Sequence, residues 1–315
     1  MLVGGAGRGT LMAVDPANEG WSLDLADLRA HPERLPVYLH HQRIRETPVS
    51  GGSICEARRL TLEDGISVFA KSRAAAPEGF FEAEAAGLRW LGEVSDGAPV
   101  PEVIAALPDL LALAWVEPGE PTAAAAERFG RELAATHRAG AESFGARWPG
   151  FIGSLPQDNG VGGGWAEWFA TRRLEPYLRV AAARGVLTSD DVRAVRSVID
   201  RVADHAPPAE PPARLHGDLW PGNVLWGADG RAWLVDPAAH GGHRETDLAQ
   251  LALFGGAPHL RRILDAYHEA APLAPGWRER VPLHQLHLLL VHTALFGAAY
   301  RSHVMGAVTA LRGRA

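Results

Sequence analysis

Three polar residues in the second half of the chain have types and spacing suited to moving a phosphoryl group. In the segment HGDLWPGN, four residues separate Asp218 from Asn223, and His216 stands two positions ahead of the aspartate. Thirteen residues beyond Asn223, the apolar run AWLVD ends in Asp236. Phosphoryl transfer needs one carboxylate to orient and deprotonate an acceptor hydroxyl, and oxygen ligands for the Mg²⁺ that bridges the phosphates. Asp218 suits the first task, and Asn223 with Asp236 the second. Asp and Asn also favour turns around a pair such as Pro221 and Gly222, and a strand-end Asp can serve as a cap. The joint spacing favours the chemical reading, because VLW, the turn GADG and AWLVD form a hairpin signal between the two halves.

The first half of the chain carries what such a centre requires. Gly51, Gly52 and Ser53 open a β-rich run, where backbone N–H groups without bulky side chains can approach phosphate oxygens. Lys71 ends the apolar strand ISVFA and offers a point charge to the α- and β-phosphates. Glu82 and Glu84 follow on a helix, and Glu84 is the preferred ion-pair partner for Lys71. Trp115, Val116 and Glu117, just before the breaker PGEP, form a segment whose backbone can meet an adenine edge. Trp220, between Asp218 and Asn223, is suited to an apolar platform under a sugar. His243, Arg244, Glu245 and Asp247 form a charged cluster of candidate substrate contacts, with the alternative for Asp247, near a helix start, of capping that helix or bracing the catalytic loop. His284, His287 and His292 share one helix without an H-E-x-x-H pattern and are read as structural or surface histidines rather than zinc ligands.

These residues demand particular elements. Residues 21 to 47, with two prolines, suggest a short helix leading into the first strand. From Val49 two β-rich runs flank Glu63, Asp64 and Gly65, then FFEAEAAGLRWL has helical spacing, and VPEVIAAL and DLLALAWVE are extended. The order is hairpin, helix, hairpin. Beyond Glu117 the chain turns mostly helical, over 122–139, 164–185, 188–205 and from about Glu245 onward. The expectation is an α+β protein with a β-rich lobe over residues 1–117 and a helical lobe over 118–315.

Composition narrows the alternatives. A net charge of −6 gives no basic footprint for nucleic acid. The longest apolar run, residues 286–299, contains histidine and is too short for a membrane span, so it reads as a buried helix. The N-terminus MLVGGAGRGT has no secretory pattern, which makes the cytoplasm the expected location; its glycines miss the G-x-G-x-x-G spacing. Cys55 is the single cysteine, so no internal disulfide or Cys-based metal cage is possible. Nothing in the sequence specifies a partner chain.

Taken together, the segments GGSI, FAK, FEAEAAGL, FIGSLPQDN, HGDLWPGNVL and DPAAHGGHRETDLAQLALFGG resemble the fructosamine kinase (ketosamine 3-kinase) family. This family sits within the protein-kinase-like and aminoglycoside phosphotransferase-like group. H-G-D-x-x-x-x-N is common to many small-molecule kinases; the Leu219-Trp220 pair and the GHRE…DLA…LFGG run are more specific. The resemblance covers Val49 to near the C-terminus. It implies a two-lobed protein-kinase-like fold and transfer of the γ-phosphoryl group of ATP to the 3-hydroxyl of a ketosamine, whose product is labile and releases the amine. By matching position, Asp218 would be the proton acceptor, Asn223 and Asp236 the Mg²⁺ ligands, Lys71 and Glu84 the phosphate-positioning pair, residues 115–117 the hinge and 51–53 the cover of the nucleotide. Pro237 in place of Phe-Gly after Asp236, and the lack of an A-P-E segment or activation-loop signature downstream of it, disfavour a protein kinase. The rival expectations are a sister kinase of aminoglycosides or choline-like amines, and a catalytically silent nucleotide-binding protein of the same fold.

Overall fold

The computed structural model of the protein describes residues 24–40, 44–49 and 54–313. It opens with two short helices, α1 (Leu25–Ala30) and α2 (Leu35–His40), joined by a 3-10 turn at Pro32–Arg34. Asp24 starts α1 by accepting the Asp27 N–H at 2.8 Å, which satisfies an amide that the helix itself cannot pair. The expected single leader helix is thus divided, and its tail is already a strand, β1 (Arg45–Pro48). All four residues of β1 are exposed at a sheet edge, so no apolar alternation marks it in the sequence.

Four more strands complete an antiparallel sheet: β2 (Glu56–Thr61), β3 (Ser67–Ser72), β4 (Val103–Leu107) and β5 (Leu110–Ala114), in the order β1–β2–β3–β5–β4. The turn between β2 and β3 closes through Leu62 N–H to Ile66 O at 2.9 Å, with Gly65 at φ +83°, a conformation that glycine adopts without a Cβ clash. Side chains alternate along β3. Val68 and Ala70 enter the core with Leu28, Leu35 and Ile104, while Lys71 reaches Glu84 on α3 (Phe80–Gly92). Helix α3 buries Phe80, Phe81, Ala85, Leu88 and Leu91 against the sheet, the stripe expected of 3.6-residue periodicity. The order hairpin, helix, hairpin is therefore what folds.

Residues 115–122 lead into α4 (Ala123–Arg138), whose N-cap Thr122 accepts the Ala125 N–H. The helical half continues through α5 (Trp165–Phe169), α6 (Glu175–Ala183), α7 (Ser189–Ile199), α8 (Val202–His205), α9 (Glu245–Gln250), α10 (Leu260–Ala270), α11 (Trp277–Phe296) and α12 (Arg301–Arg312). The helix expected over 164–185 contains a wider π turn at Ala170–Leu174, and that over 188–205 breaks after Ile199. Apolar and histidine side chains are buried all round the middle of α11, as befits a helix at the centre of a core. Among the described residues no helix is long and apolar enough to cross a membrane.

Three two-stranded ribbons interrupt the helices: β6 (Gly150–Ile152) with β7 (Leu155–Gln157), β8 (Ala213–Leu215) with β11 (His240–Gly242), and β9 (Val224–Trp226) with β10 (Ala232–Leu234). Three-residue strands are too short to display alternation, and only β9–β10 is legible in the sequence, through the turn residues GADG between its strands. These ribbons set the chemistry: β8 runs into His216, and β10 ends two residues before Asp236. The two halves touch closely, since a Cβ on Gly87 of α3 would lie only 3.0 Å from the Cβ of Ala239.

Candidate active site

The loop after β8 is held from below by α9. Asp247 accepts the His216 and Gly217 N–H groups at 2.8 and 3.0 Å, and Gln250 accepts the Leu219 N–H at 2.7 Å. Asp247 therefore braces the loop, one of its expected roles, rather than meeting a substrate. Gln250 has no counterpart among the sequence candidates, because a side-chain amide at the end of a short helix carries no sequence signal of its own. Gly217 has φ +82°, and a Cβ there would come within 2.3 Å of the Ala238 carbonyl, so only glycine lets the two loops meet. His216 Nε2 lies 2.9 Å from the Val235 carbonyl, which can only accept; Nε2 therefore carries the proton and Nδ1 accepts the Asp218 N–H at 3.2 Å. Burial pushes the His216 pKa down and keeps the ring neutral.

Asn223 fixes Asp218 from the other side. Its amide nitrogen donates to the Asp218 carbonyl at 2.8 Å and to Asp218 Oδ2 at 3.2 Å. That leaves the Asn223 amide oxygen as the atom suited to a metal. Asp218 Oδ1 is buried and has no hydrogen-bond partner among the described residues. Burial raises the Asp218 pKa well above the ordinary carboxylate range, and the nearby Asp236 charge adds to the rise. A buried, unbonded carboxylate oxygen is costly unless something presented by a ligand meets it.

Lys71 lies 2.6 Å from Glu84 and 2.9 Å from Asp236. Burial opposes the charge on Lys71, but the two carboxylates outweigh it and hold the ammonium protonated. One ammonium is thus shared by two acids. Burial pushes Glu84 up to about 7 against the pull of Lys71, whereas at Asp236 the opposing burial is outweighed by Lys71 and the pKa is lowered. The Asp236 side chain is 48% exposed and lines the cleft. It adopts φ +54°, rare for a non-glycine residue and further strained by Pro237 after it. This aims a carboxylate into the cleft beside Asn223. Asp236, the Asn223 amide oxygen and Lys71 form a donor set that fits a Mg²⁺-bound polyphosphate.

These groups share one cavity of about 810 Å³ between the two halves, which Trp220 also lines. The Trp220 ring lies so close over Gly222 that a Cβ there would be 2.1 Å from it. Trp115, Val116 and Glu117 connect the two halves but do not line this cavity. The Glu117 carbonyl accepts the Ala228 N–H at 2.8 Å, and Arg59 stacks 4.6 Å over the Trp115 ring. Gly51, Gly52 and Ser53 lie outside the described residues.

His243, Arg244 and Glu245 do not reach the cleft, in contrast to their expected place at the substrate. Arg244 holds Glu210 at 2.7 and 2.8 Å, and Glu245 holds Arg280 at 2.6 and 2.8 Å. His243 is buried against His284 and Trp165. Each is engaged by protein partners around the head of α9, the helix that supplies Asp247 and Gln250. His243, Glu245 and His284 bring ligand atoms within 4.8 Å of one another, but Arg280 already occupies both Glu245 oxygens. His284 and His287 are fully buried, as structural histidines are, while His292 lines the cleft beside Phe254, Phe296 and Tyr300. That aromatic wall was not singled out from the sequence, since its members come from three separate elements.

The fructosamine kinase family model matches residues 37–312. A "probable ketoamine kinase" of Enterococcus faecium is 34% identical over 270 residues, covering 82% of this chain and 91% of the relative. The crystal structure of a "putative fructosamine-3-kinase" from Thermobifida fusca superposes with a TM-score of 0.82 at 52% identity, covering 86% of this chain and 94% of that one. The choline kinase LicA from Streptococcus pneumoniae shares the fold at 14% identity and a TM-score of 0.58, covering 90% and 99%. The architecture is that of the kinase-like phosphotransferases, and the chain belongs to the fructosamine kinase family.

Proposed function

We propose that this protein transfers the γ-phosphoryl group of ATP to the 3-hydroxyl of a ketosamine, forming a labile phosphate ester whose breakdown releases the amine and so reverses glycation. The observation that carries the reading is Asp218 Oδ1, buried and unpartnered in the same cleft as the Lys71, Glu84 and Asp236 group. Asp218 takes the proton of the acceptor hydroxyl as the new O–P bond forms and the β,γ-bridging P–O bond of ATP breaks. Its raised pKa makes it a better base than an ordinary aspartate. Asn223 keeps the carboxylate turned toward the acceptor, and Lys71, steadied by Glu84, holds the phosphates. Asn223 and Asp236 would hold Mg²⁺, which neutralises charge on the transferring group when bound. Residues 51–53 would cover the nucleotide, residues 115–117 would border the adenine, and Trp220 would lie under the sugar.

The test compares ATP consumption with fructosyl-lysine, ribosyl-lysine and free aminoglycosides, with and without Mg²⁺. Turnover of the ketosamines, with the phosphate mapped to C3 by NMR, is expected. Activity on aminoglycosides alone would overturn the reading. Unchanged ketosamine turnover in Asp218→Asn would remove Asp218 from its role.

A further inference from the structure

The cavity continues past Trp220 to an end walled by rings. Phe254 stands 5.9 Å from Trp220, 4.7 Å from His292 and 5.7 Å from Tyr300, and Phe296 lies 5.5 Å from His292 and 6.0 Å from Tyr300. Phe254 and Phe296 remain 36% and 43% exposed, so their faces are available to a ligand. They are not committed to the core.

The charge on this surface is one-sided. The charged side chains lining the cavity are Lys71, Glu84, Asp218 and Asp236, and Lys71 is already held between two of the acids. Arg301, beside Tyr300, is bound to Asp191 at 2.7 and 2.9 Å. His292 adds no charge: Nδ1 lies 2.8 Å from the Leu288 carbonyl and must carry the proton, and burial pushes its pKa down. Its Nε2 is therefore a hydrogen-bond acceptor. Ring faces attract cations; the Tyr300 hydroxyl and the Trp220 indole N–H can donate a hydrogen bond, but among the described residues no free cation lines this end to offset the charge of a carboxylate.

We propose that this aromatic end seats the amine-bearing half of the acceptor, taking a secondary ammonium on an apolar or aromatic substituent and disfavouring one with a carboxylate beside the amine. This deepens the ketosamine reading above and rests on it. A free α-amino acid glycated on its α-amine carries its carboxylate two bonds from the nitrogen, where it would meet rings, His292, the neutral donors of Trp220 and Tyr300 and, at the edge of the wall, His303, whose ring lies 6.5 Å from Phe254 and 6.2 Å from Tyr300. An amine without that carboxylate, or a lysine ε-amine whose carboxylate lies a side chain away, meets no such penalty.

The test is a matched pair, the fructosyl adducts of phenethylamine and of phenylalanine, which differ only in the carboxylate. Steady-state kinetics on the wild-type chain are expected to give a kcat/KM at least about tenfold higher for the phenethylamine adduct, with the difference in KM rather than kcat. Tyr300→Arg, which adds a cation at this end, is expected to narrow the ratio by improving the phenylalanine adduct. Phe296→Lys does the same from a second position, should the first variant fold poorly. Equal kcat/KM for the two adducts, or a preference for phenylalanine, would overturn the inference and leave the ketosamine reading standing. Turnover of neither adduct would bring down that reading and this inference with it.

Discussion

The two ends of the cleft are built on opposite principles. At one end Lys71, Glu84, Asp218, Asn223 and Asp236 are joined by directional bonds of 2.6 to 3.2 Å, each donor matched to a named acceptor. At the other, Phe254, His292, Phe296 and Tyr300 meet through ring contacts with centroids 4.7 to 6.0 Å apart and no bond between them. A misplaced charge in the first group fails sharply, because its energy depends on angle and distance in a poorly solvated setting. A changed ring in the second loses area and little else. The ionic end should therefore govern kcat and the aromatic end KM.

Asp218→Asn tests that division most severely. With the proton acceptor removed and the shape kept, kcat for a ketosamine should fall about 10²- to 10⁴-fold with little change in KM, measured by coupled ADP release. A large KM effect would blur the distinction between the ends. Arg280→Met strikes beneath the ionic end, at the buried pair that anchors the head of α9. Leaving Glu245 with only His284, at 3.4 Å, should cost about 1–3 kcal/mol in urea unfolding.

That pair also has a pH signature. Burial pushes the Glu245 carboxyl up, but Arg280 and His284 pull it down further, to about 2. Because the folded value is depressed, the stabilisation is complete above the ordinary glutamate value of about 4.3 and is lost as pH falls from there toward about 2. Unfolding midpoints across that window should drop for the wild type and drop less for Arg280→Met. Lys71→Met should lower kcat/KM about 10²- to 10³-fold, since it removes one fixed donor from the transferring phosphates.

Asp218 gives a second pH effect. Burial and Asp236 raise its pKa, and the base must be ionised to work, so kcat/KM should fall as pH is lowered through a value above the ordinary aspartate pKa of about 3.9. An acid limb at or below that value would count against its role. The smallest effect belongs to the aromatic end. Phe254→Leu should raise the KM of an aromatic ketosamine severalfold, consistent with about 0.5–1.5 kcal/mol for a ring pair, and leave kcat near wild type.

The sequence by itself determined the parts of this protein that depend on local spacing. Asp218 and Asn223 lie on one tight loop, so their separation is fixed by a few residues of backbone. Lys71 is next to last in β3, and Glu84 lies beside the buried stripe of the helix that follows. Each is a short-range consequence of residue type. The hairpin at residues 56–72 and the helix at 80–92 were legible for the same reason, because periodicity and turn residues act over a few positions.

Only the tertiary structure decided what depends on chain segments far apart. It turned Asp247 from a possible cap into the brace of the catalytic loop, because β8 and α9 meet across 31 residues. It drew Arg244 and Glu245 into ion pairs whose partners, Glu210 and Arg280, lie about 35 residues away in either direction, and packed His243 against His284 and Trp165. It assembled the aromatic wall from the loop after α9, the end of α11 and the turn before α12, elements with no shared sequence period. The physical reason is common to all three. A charged or aromatic side chain takes its role from what packs against it, and that neighbour is chosen by the fold.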